Sequence, residues 1–257
     1  MIDVTFLQVS LGYVFVIILL IILKRQGIKR ERLLLYASIR MTLQLVLVGY
    51  VLIWLFDIDH PLLTMGIVCL MIGFAIYTLF RKFKGNLSKR LKWVIALCLP
   101  LGGLPVLFYF LWVVIGIEPL FNPQYVIPIT GMIIGNSMTG ISLGLNQLLH
   151  QFKDEQDAVV THLLLGATQR QATKTITNHA FDQAIMPTLN SMLGMGIIFL
   201  PGMMTGQILS GIVPTTAILY QIAIMLGILG SVSLTTYLVL IFGIKTFFNA
   251  EEQIIMT

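Results

Sequence analysis

Seven long apolar segments, separated by short polar ones, set the hydrophobic pattern of this chain of 257 residues. A helix that crosses the hydrocarbon core of a bilayer needs about 20 apolar residues, and each of the seven segments is long enough. The pattern therefore predicts an all-α fold, a polytopic membrane helix bundle that forms a single domain over residues 1–257. The predicted spans cover residues 3–23, 36–56, 62–80, 93–115, 126–149, 187–208 and 216–243.

The longest polar segment covers residues 150–185, between the fifth and sixth predicted spans. Asp154, Glu155 and Asp157 stand at the start of a helical pattern, where carboxylates complement the positive end of the helix dipole. Gly166 is expected to end that helix, because glycine accepts the left-handed backbone of a C-terminal cap.

A second helix is predicted to begin just after this glycine. Thr168 and Gln171 have the spacing of a capping box, in which each side chain accepts a hydrogen bond from the other residue's backbone N–H. The segment thus predicts a helix–turn–helix elbow. Such an elbow is either a docking feature for a soluble partner or a passive loop with helical ends.

Composition and charge place the chain in a membrane and orient it. Hydrophobic residues make up 57% of the chain and charged residues 11%, whereas about a quarter of the residues of a soluble domain are charged. If the spans alternate in direction, all 16 Lys and Arg residues fall on one side, which the positive-inside rule makes the cytoplasm. The predicted topology has the N-terminus outside, the C-terminus inside and residues 150–185 in the cytoplasm.

This topology also accounts for the net charge of +5. We therefore expect a multi-pass protein of the cell membrane that is surrounded by lipid, and we expect no nucleic-acid partner.

Two spans contain residues that interrupt helices. Pro100, Gly102, Gly103 and Pro105 predict a kink or a break in the fourth span. Such a feature either reflects packing or exposes backbone dipoles to a transported solute. In the sixth span, Pro187 is expected in the first helical turn, and Pro201-Gly202 is expected to break the helix near its outer half.

The fifth span is rich in small residues. The pairs Gly131/Gly135 and Gly140/Gly144 are each four residues apart, so they lie on helix faces that a second helix can approach closely. Asn136 adds an amide that needs a partner inside a membrane. The fifth span is therefore predicted to be a buried helix, and it leads directly into the elbow.

The residues that enzymes and proton pumps use are missing from the interior of the spans. No carboxylate lies there, and all four histidines lie in polar segments, at positions 60, 150, 162 and 179. Cys69 and Cys98 have no metal-site spacing and are expected to pack as small hydrophobic residues. Because the chain also lacks a phosphate-binding loop, we expect no enzymatic activity and no ATP site in it.

Neutral polar groups remain within the spans. The amides of Gln44, Asn136, Asn190, Gln207 and Gln221 either hold helices together by hydrogen bonds or line a polar path. Methionine thioethers are either flexible packing or soft metal ligands. The residues that we predict for a translocation path are Arg40, Gln44, Asn136, Asn190, Met203 and Gln207; the residues that would bind a metal remain open.

Four runs of residues resemble the bacterial Fet-type iron-export permeases, a family that includes plant permeases linked to aluminium tolerance. They are Gly131–Asn136, Leu165–Thr168 with Arg170-Gln171, Leu200–Gly211 and Arg40–Gln44. The Leu-Gly-Ala-Thr element also looks like the cytoplasmic loop by which many ABC permeases engage their ATPase. The Glu-Ala-Ala triplet usual in importers is replaced here by Val160-Thr161-His162.

The resemblance implies the membrane subunit of an ABC transporter that exports a metal ion, iron, in a complex of two permeases and two separate ATPase subunits. ATP and Mg would be bound by the ATPase, and this chain would carry no cofactor. The implied ATPase-coupling residues are Ala158, His162, Leu165, Gly166, Ala167, Thr168, Arg170 and Gln171. From the residues alone, a standalone channel or a membrane scaffold protein is the alternative.

Overall fold

The computed structural model describes residues 5–58, 60–85, 87–249 and 253–255. Within these ranges every regular element is a helix, as the sequence predicts. Contacts between Cα atoms divide the chain into two compact units, residues 1–59 and residues 60–257.

The described residues of the first unit form three helices. Helices α1 (Phe6–Gly12) and α2 (Val14–Arg25) follow one another, and α3 (Glu31–Ile58) comes after a turn. The hydroxyl of Tyr13 is hydrogen-bonded to that of Thr42, which ties the start of α2 to α3. The unit is therefore a helical hairpin.

The second unit begins with α4 (Pro61–Lys82) and α5 (Lys89–Tyr109), which continues as a π-helix (Phe110–Ile115). The remaining helices are α6 (Pro123–Asp154), α7 (Gln156–Leu164), α8 (Gln169–Ala172), α9 (Lys174–Gly194), α10 (Gly202–Leu209) and α11 (Pro214–Ile244), which ends in a 3-10 turn (Lys245–Phe247).

Helices α6 and α11 form the centre of this unit. They pack against each other, α5 and α9 pack against both, and α4 packs on α6. The apolar side chains of Ile133, Ile141 and Leu145 on α6 are completely buried. The hydroxyls of Ser137 on α6 and Ser231 on α11 are 2.8 Å apart and hydrogen-bonded, which satisfies two polar groups in the core.

Glycines bring these helices close together. A Cβ atom at Gly140 would lie 2.7 Å from Cγ1 of Val232, and one at Gly144 would lie 3.2 Å from Cγ2 of Thr236. This confirms the close approach predicted for the second glycine pair. At Gly135 the prediction is wrong, because that position faces open space.

The fourth predicted span is not interrupted at its prolines. Helix α5 continues through Pro100 and Pro105, and the irregular geometry comes later, in the π-helix. Gly102 and Gly103 instead allow tight packing, since a Cβ atom at Gly102 would lie 2.9 Å from the backbone of Thr235 on α11. Of the two explanations, packing and exposure of backbone dipoles to a solute, packing therefore applies to these glycines.

Six helical segments are long and apolar enough to cross a membrane in the described part of the chain, against seven predicted. The difference lies at residues 187–208. Pro187 is inside α9, not in a first turn, and the chain leaves the helix after Gly194 before α10 begins. Gly196, with φ of +85°, turns the chain between these helices, so the predicted break occurs before Pro201.

Replacing Gly102 with Ala is expected to destabilise the protein by about 2 kcal/mol. The added methyl group meets backbone atoms of Thr235, so α5 and α11 must separate. Thermal unfolding of the purified protein in detergent should show a melting temperature lower by about 4–8 °C. Gly73→Ala on α4 is the control, because that position faces open space; an equal loss in both variants would contradict the assignment.

Candidate functional site

The segment 150–185 contains the end of α6, the short helices α7 and α8, and the first turns of α9. Helix α6 extends as far as Asp154, whose carboxylate lies 2.7 Å from Nδ1 of the exposed His150. Helix α7 follows after Glu155, so only Asp157 of the three predicted carboxylates lies in its first turn. The other two carboxylates stand at the end of α6 and at the junction.

Gly166 ends α7 in the predicted left-handed conformation, with φ of +90°. The N–H of Gly166 donates to the carbonyl of Leu163, and the N–H of Ala167 donates to that of His162, at 3.0 Å each. This is the Schellman motif, which satisfies carbonyls that have no partner within the helix. A side chain at position 166 would meet no atom but would strain the backbone.

The predicted capping box at the start of α8 is also present. The N–H of Gln171 donates to the Thr168 hydroxyl at 3.3 Å, and the N–H of Thr168 donates to Oε1 of Gln171 at 2.9 Å. Two amides at the helix start are satisfied reciprocally, so the direction in which the chain leaves the turn is defined locally.

The residues predicted to contact an ATPase lie on the outside of this turn. All of them are exposed except Ala167, which is half-buried; the exposed ones are Ala158, His162, Leu165, Gly166, Thr168, Arg170 and Gln171. Leu164 and Leu165 are 83% and 80% exposed. Val159 and Ala172 point inward and anchor the two short helices. An exposed apolar tip on a fixed turn is suited to docking another protein.

A second feature is a polar cleft of about 200 Å³ between α6, α9 and α11. Asn136, Thr188 and Gln221 contribute polar groups, one from each helix. Gln221 is buried, with an exposed fraction of 7%. Its Nε2 lies 3.7 Å from Sδ of Met195, and its Oε1 has no hydrogen-bond partner. A buried amide oxygen without a partner is costly, which marks this position as one that a ligand could satisfy.

The structure brings only one of the predicted path residues to this cleft. Asn136 lines it and donates from Nδ2 to the carbonyl of Met132 at 2.7 Å. Asn190 is exposed on α9 and does not line the cleft, and Met203 and Gln207 are half-buried on α10. Arg40 and Gln44 belong to the first unit, where Arg40 lies over the Tyr36 ring.

Sequence reasoning missed most of the cleft. Thr188 and Ser191 on α9 line it, as do Met195 and Gln221, although Gln221 is one of the neutral amides noted above. The spacing along α9 contains a signal for the cleft. Its lining residues recur at intervals of three or four and so share one helix face; they are Ala184, Thr188, Ser191 and Met195. The spacing does not reveal which neighbour that face meets.

The cleft offers neutral ligands only. Its lining provides hydroxyl groups, amides and the thioethers of Met195 and Met225, and contains no Asp, Glu or His. Across the described residues, no group of three or more His, Cys, Asp or Glu side chains is placed to hold a metal ion. The arrangement is suited to hydrogen bonding and weak coordination, not to tight capture of a bare cation.

The same two helices connect the cleft with the turn. Helix α6 runs from Asn136 in the cleft to Asp154 beside α7, about 27 Å along its axis. Helix α9 starts at Lys174, directly after α8, and reaches Ser191 in the cleft after about 26 Å. A displacement of the turn would therefore move two walls of the cleft.

Comparison with known proteins agrees with a membrane permease. The model of the family described as "Uncharacterised protein family (UPF0014)" matches residues 6–248. The "UPF0014 membrane protein YjkA" of Bacillus subtilis (strain 168) is 32% identical over 251 residues, which cover 97% of this chain and 98% of that protein. No solved structure matches the chain significantly.

Two further relatives have names that state a role. The "Probable iron export permease protein FetB" of Escherichia coli (strain K12) is 31% identical over 97% of this chain and 95% of its own length. The "Protein ALUMINUM SENSITIVE 3" of Arabidopsis thaliana is 34% identical over 87% of this chain and 80% of its own length. The similarity extends over nearly the whole chain in each case.

Replacing Thr168 with Val should loosen α8 without unfolding the protein. The valine keeps the shape but removes the oxygen that accepts from Gln171, a loss of about 1 kcal/mol for a helix N-cap. Hydrogen exchange of the amides at 169–173 should become about fivefold faster. Thr161→Val is the matched control, because the Thr161 hydroxyl only donates to Asp157 within α7; equal acceleration there would contradict the capping role.

Proposed function

This chain belongs to the UPF0014 family of membrane proteins, and on that basis we propose that it is the permease subunit of an ATP-driven ABC transporter. It is a multi-pass membrane protein with six candidate spans among its described residues. The energy would come from a separate ATPase subunit, which would bind ATP and Mg. The complex would contain two permeases, as a homodimer, and two ATPases.

The observation that carries this proposal is the continuity of α6 and α9 between the polar cleft and the α7–α8 turn. A docking element for an energy source must be connected rigidly to the site where the solute binds. Here α6 leads into α7 on one side of the turn, and α8 leads into α9 on the other. Both helices line the cleft with residues that are distant from the turn, Asn136 on α6 and Ser191 on α9.

In the proposed mechanism, the ATPase engages the exposed tip formed by Leu165, Gly166 and neighbouring residues on the cytoplasmic side. Closure of two ATPase subunits around ATP would pull the tips of two permeases together. Because Gly140 and Gly144 pack α6 closely against both α11 and α9, a movement of α6 and α9 would rearrange the contacts of all three helices around the cleft. The cleft would then open to the other side of the membrane.

We propose that the cargo is a metal ion, iron, and that it is exported. Support comes from the name of the E. coli relative. The cleft adds a chemical reason, because hydroxyl and amide oxygens with the Met195 thioether can hold a partly hydrated cation. Without a carboxylate the ion would be held weakly, as a site that must also release its cargo requires.

Replacing Gly166 with Val should abolish recovery of the ATPase with the tagged permease. A β-branched residue at φ of +90° is strained, so the Schellman turn and the tip that it forms would rearrange. The measurement is co-purification of the ATPase from cells that express both subunits. If the protein is a standalone channel, even the unmodified tagged chain should not recover an ATPase in stoichiometric amount.

Gly211→Val is a closely matched control for this experiment. Gly211 has φ of +97° and ends α10 with the same pair of backbone hydrogen bonds, from its own N–H and that of Ile212. The strain is therefore similar, but the position lies outside the predicted coupling segment. Recovery of the ATPase with both variants would rule out the turn as the docking element.

Replacing Gln221 with Leu should reduce metal export at least tenfold while leaving ATPase recovery unchanged. The leucine removes the amide from the cleft, and stability should stay equal or rise because a buried oxygen without a partner is lost. Metal content and metal sensitivity of cells that lack the native chain provide the measurement. Gln207→Leu is the control, because Gln207 is half-buried, its Oε1 also lacks a hydrogen-bond partner, and it does not line the cleft. This variant should retain more export than Gln221→Leu; the reverse order would refute the cleft as the path.

A further inference from the structure

A groove of about 580 Å³ lies beside the α7–α8 turn, between the first turns of α9 and the last turns of α11. Its floor is apolar and is built by Phe181 of α9 and by Tyr237, Leu240 and Ile244 of α11. The Phe181 and Tyr237 rings meet edge to face with centroids 6.4 Å apart. The floor residues of α11 belong to a helical segment that is long and apolar enough to cross a membrane.

The end of the groove near the turn is strongly basic. Arg170, Lys174 and Lys245 line it, from α8, α9 and the end of α11, and its lining contains no Asp or Glu. Within the described ranges none of these three cations has a carboxylate at salt-bridge distance. Two segments that are far apart in sequence, one with Arg170 and Lys174 and one with Lys245, thus bring three positive charges to one opening.

The position of this opening matches a membrane surface. Lys245 follows the last apolar turn of α11 and lies over the Phe242 ring, 5.7 Å from its centroid. A cation at the end of an apolar span sits where lipid phosphates lie, while its stem covers apolar surface. The basic opening would be level with the headgroups, and the apolar floor would be level with the acyl chains.

We propose that this groove binds an anionic phospholipid of the cytoplasmic leaflet. The phosphate would lie among Arg170, Lys174 and Lys245, and an acyl chain would lie along Tyr237 and Leu240. A lipid fits both parts of the groove, since an acidic peptide from the aqueous phase would satisfy the cations but would leave the apolar floor uncovered. The bound lipid would brace the start of α9 against α11, beside the turn.

The proposal is tested with the purified chain by native mass spectrometry, using dioleoylphosphatidylglycerol and dioleoylphosphatidylcholine as probes. The unmodified chain should retain phosphatidylglycerol in preference to phosphatidylcholine. Lys245→Gln and Lys174→Gln should each weaken phosphatidylglycerol retention about fivefold, because one basic residue near an anionic surface contributes about that factor. Both lysines are exposed, so the variants should fold normally.

Lys153→Gln is the matched control, since Lys153 is an exposed cation near the end of α6 that does not line the groove. Equal retention of both lipids, or equal losses in the groove and control variants, would overturn the proposal. Displacement of the lipid by inorganic phosphate at low millimolar concentration would also overturn it, because the site would then recognise a free anion.

The outcome is separable from that of the proposed function. Lys245 lies outside the coupling segment, so Lys245→Gln should leave ATPase co-purification unchanged while lipid retention falls. A lipid site without an ATPase partner would leave this proposal intact and remove the transporter assignment. If an ATPase co-purifies but the chain shows no lipid preference, the lipid proposal would be refuted and the transporter assignment would stand.

Discussion

The close approach of helices to α11 is the interaction on which the rest of this structure depends. Between membrane helices there is little hydrophobic driving force, so packing contacts and interhelical hydrogen bonds must hold the bundle together. Gly102 lets α5 touch the backbone of Thr235, and Gly140 and Gly144 let α6 approach both α11 and α9. The hydrogen bond between Ser137 and Ser231 lies within the same contact.

The polar cleft is the place where this packing is left open. Helices α6 and α9 stay in contact at Gly140 and Gly144, but beyond that point Asn136 and Ser191 line a space of about 200 Å³. Helices that are packed on small residues switch between discrete packing arrangements and do not deform continuously, because a side chain either fits a gap or does not. A displacement of the α7–α8 turn would therefore move whole helices at the cleft.

The chemistry of the cleft narrows the kind of transport that it can support. Its amides, its hydroxyls and the thioethers of Met195 and Met225 carry no formal charge, whereas strong capture of iron would use carboxylates or imidazoles. A weak site is compatible with a pump in which ATP, not affinity, sets the direction. The basic groove at the other end of α9 belongs to the membrane surface and is chemically unlike the cleft.

Local features were readable from the sequence by itself. The helices, the left-handed Gly166 and the capping box at Thr168 depend on residues no more than five positions apart, so backbone preferences decide them. The membrane class follows from composition, since so few charges cannot cover a soluble surface. The second glycine pair of the fifth span likewise marked a close contact.

Only the tertiary structure decided how these helices meet. Pro187 could begin a helix or lie within one, and the preceding residues that extend α9 made it internal. Among the predicted path residues of the second unit Asn136 lines the cleft, and Thr188 and Gln221 line it as well. A polar residue in an apolar segment shows that a partner is needed, but which helix face supplies the partner depends on packing between residues far apart in the chain.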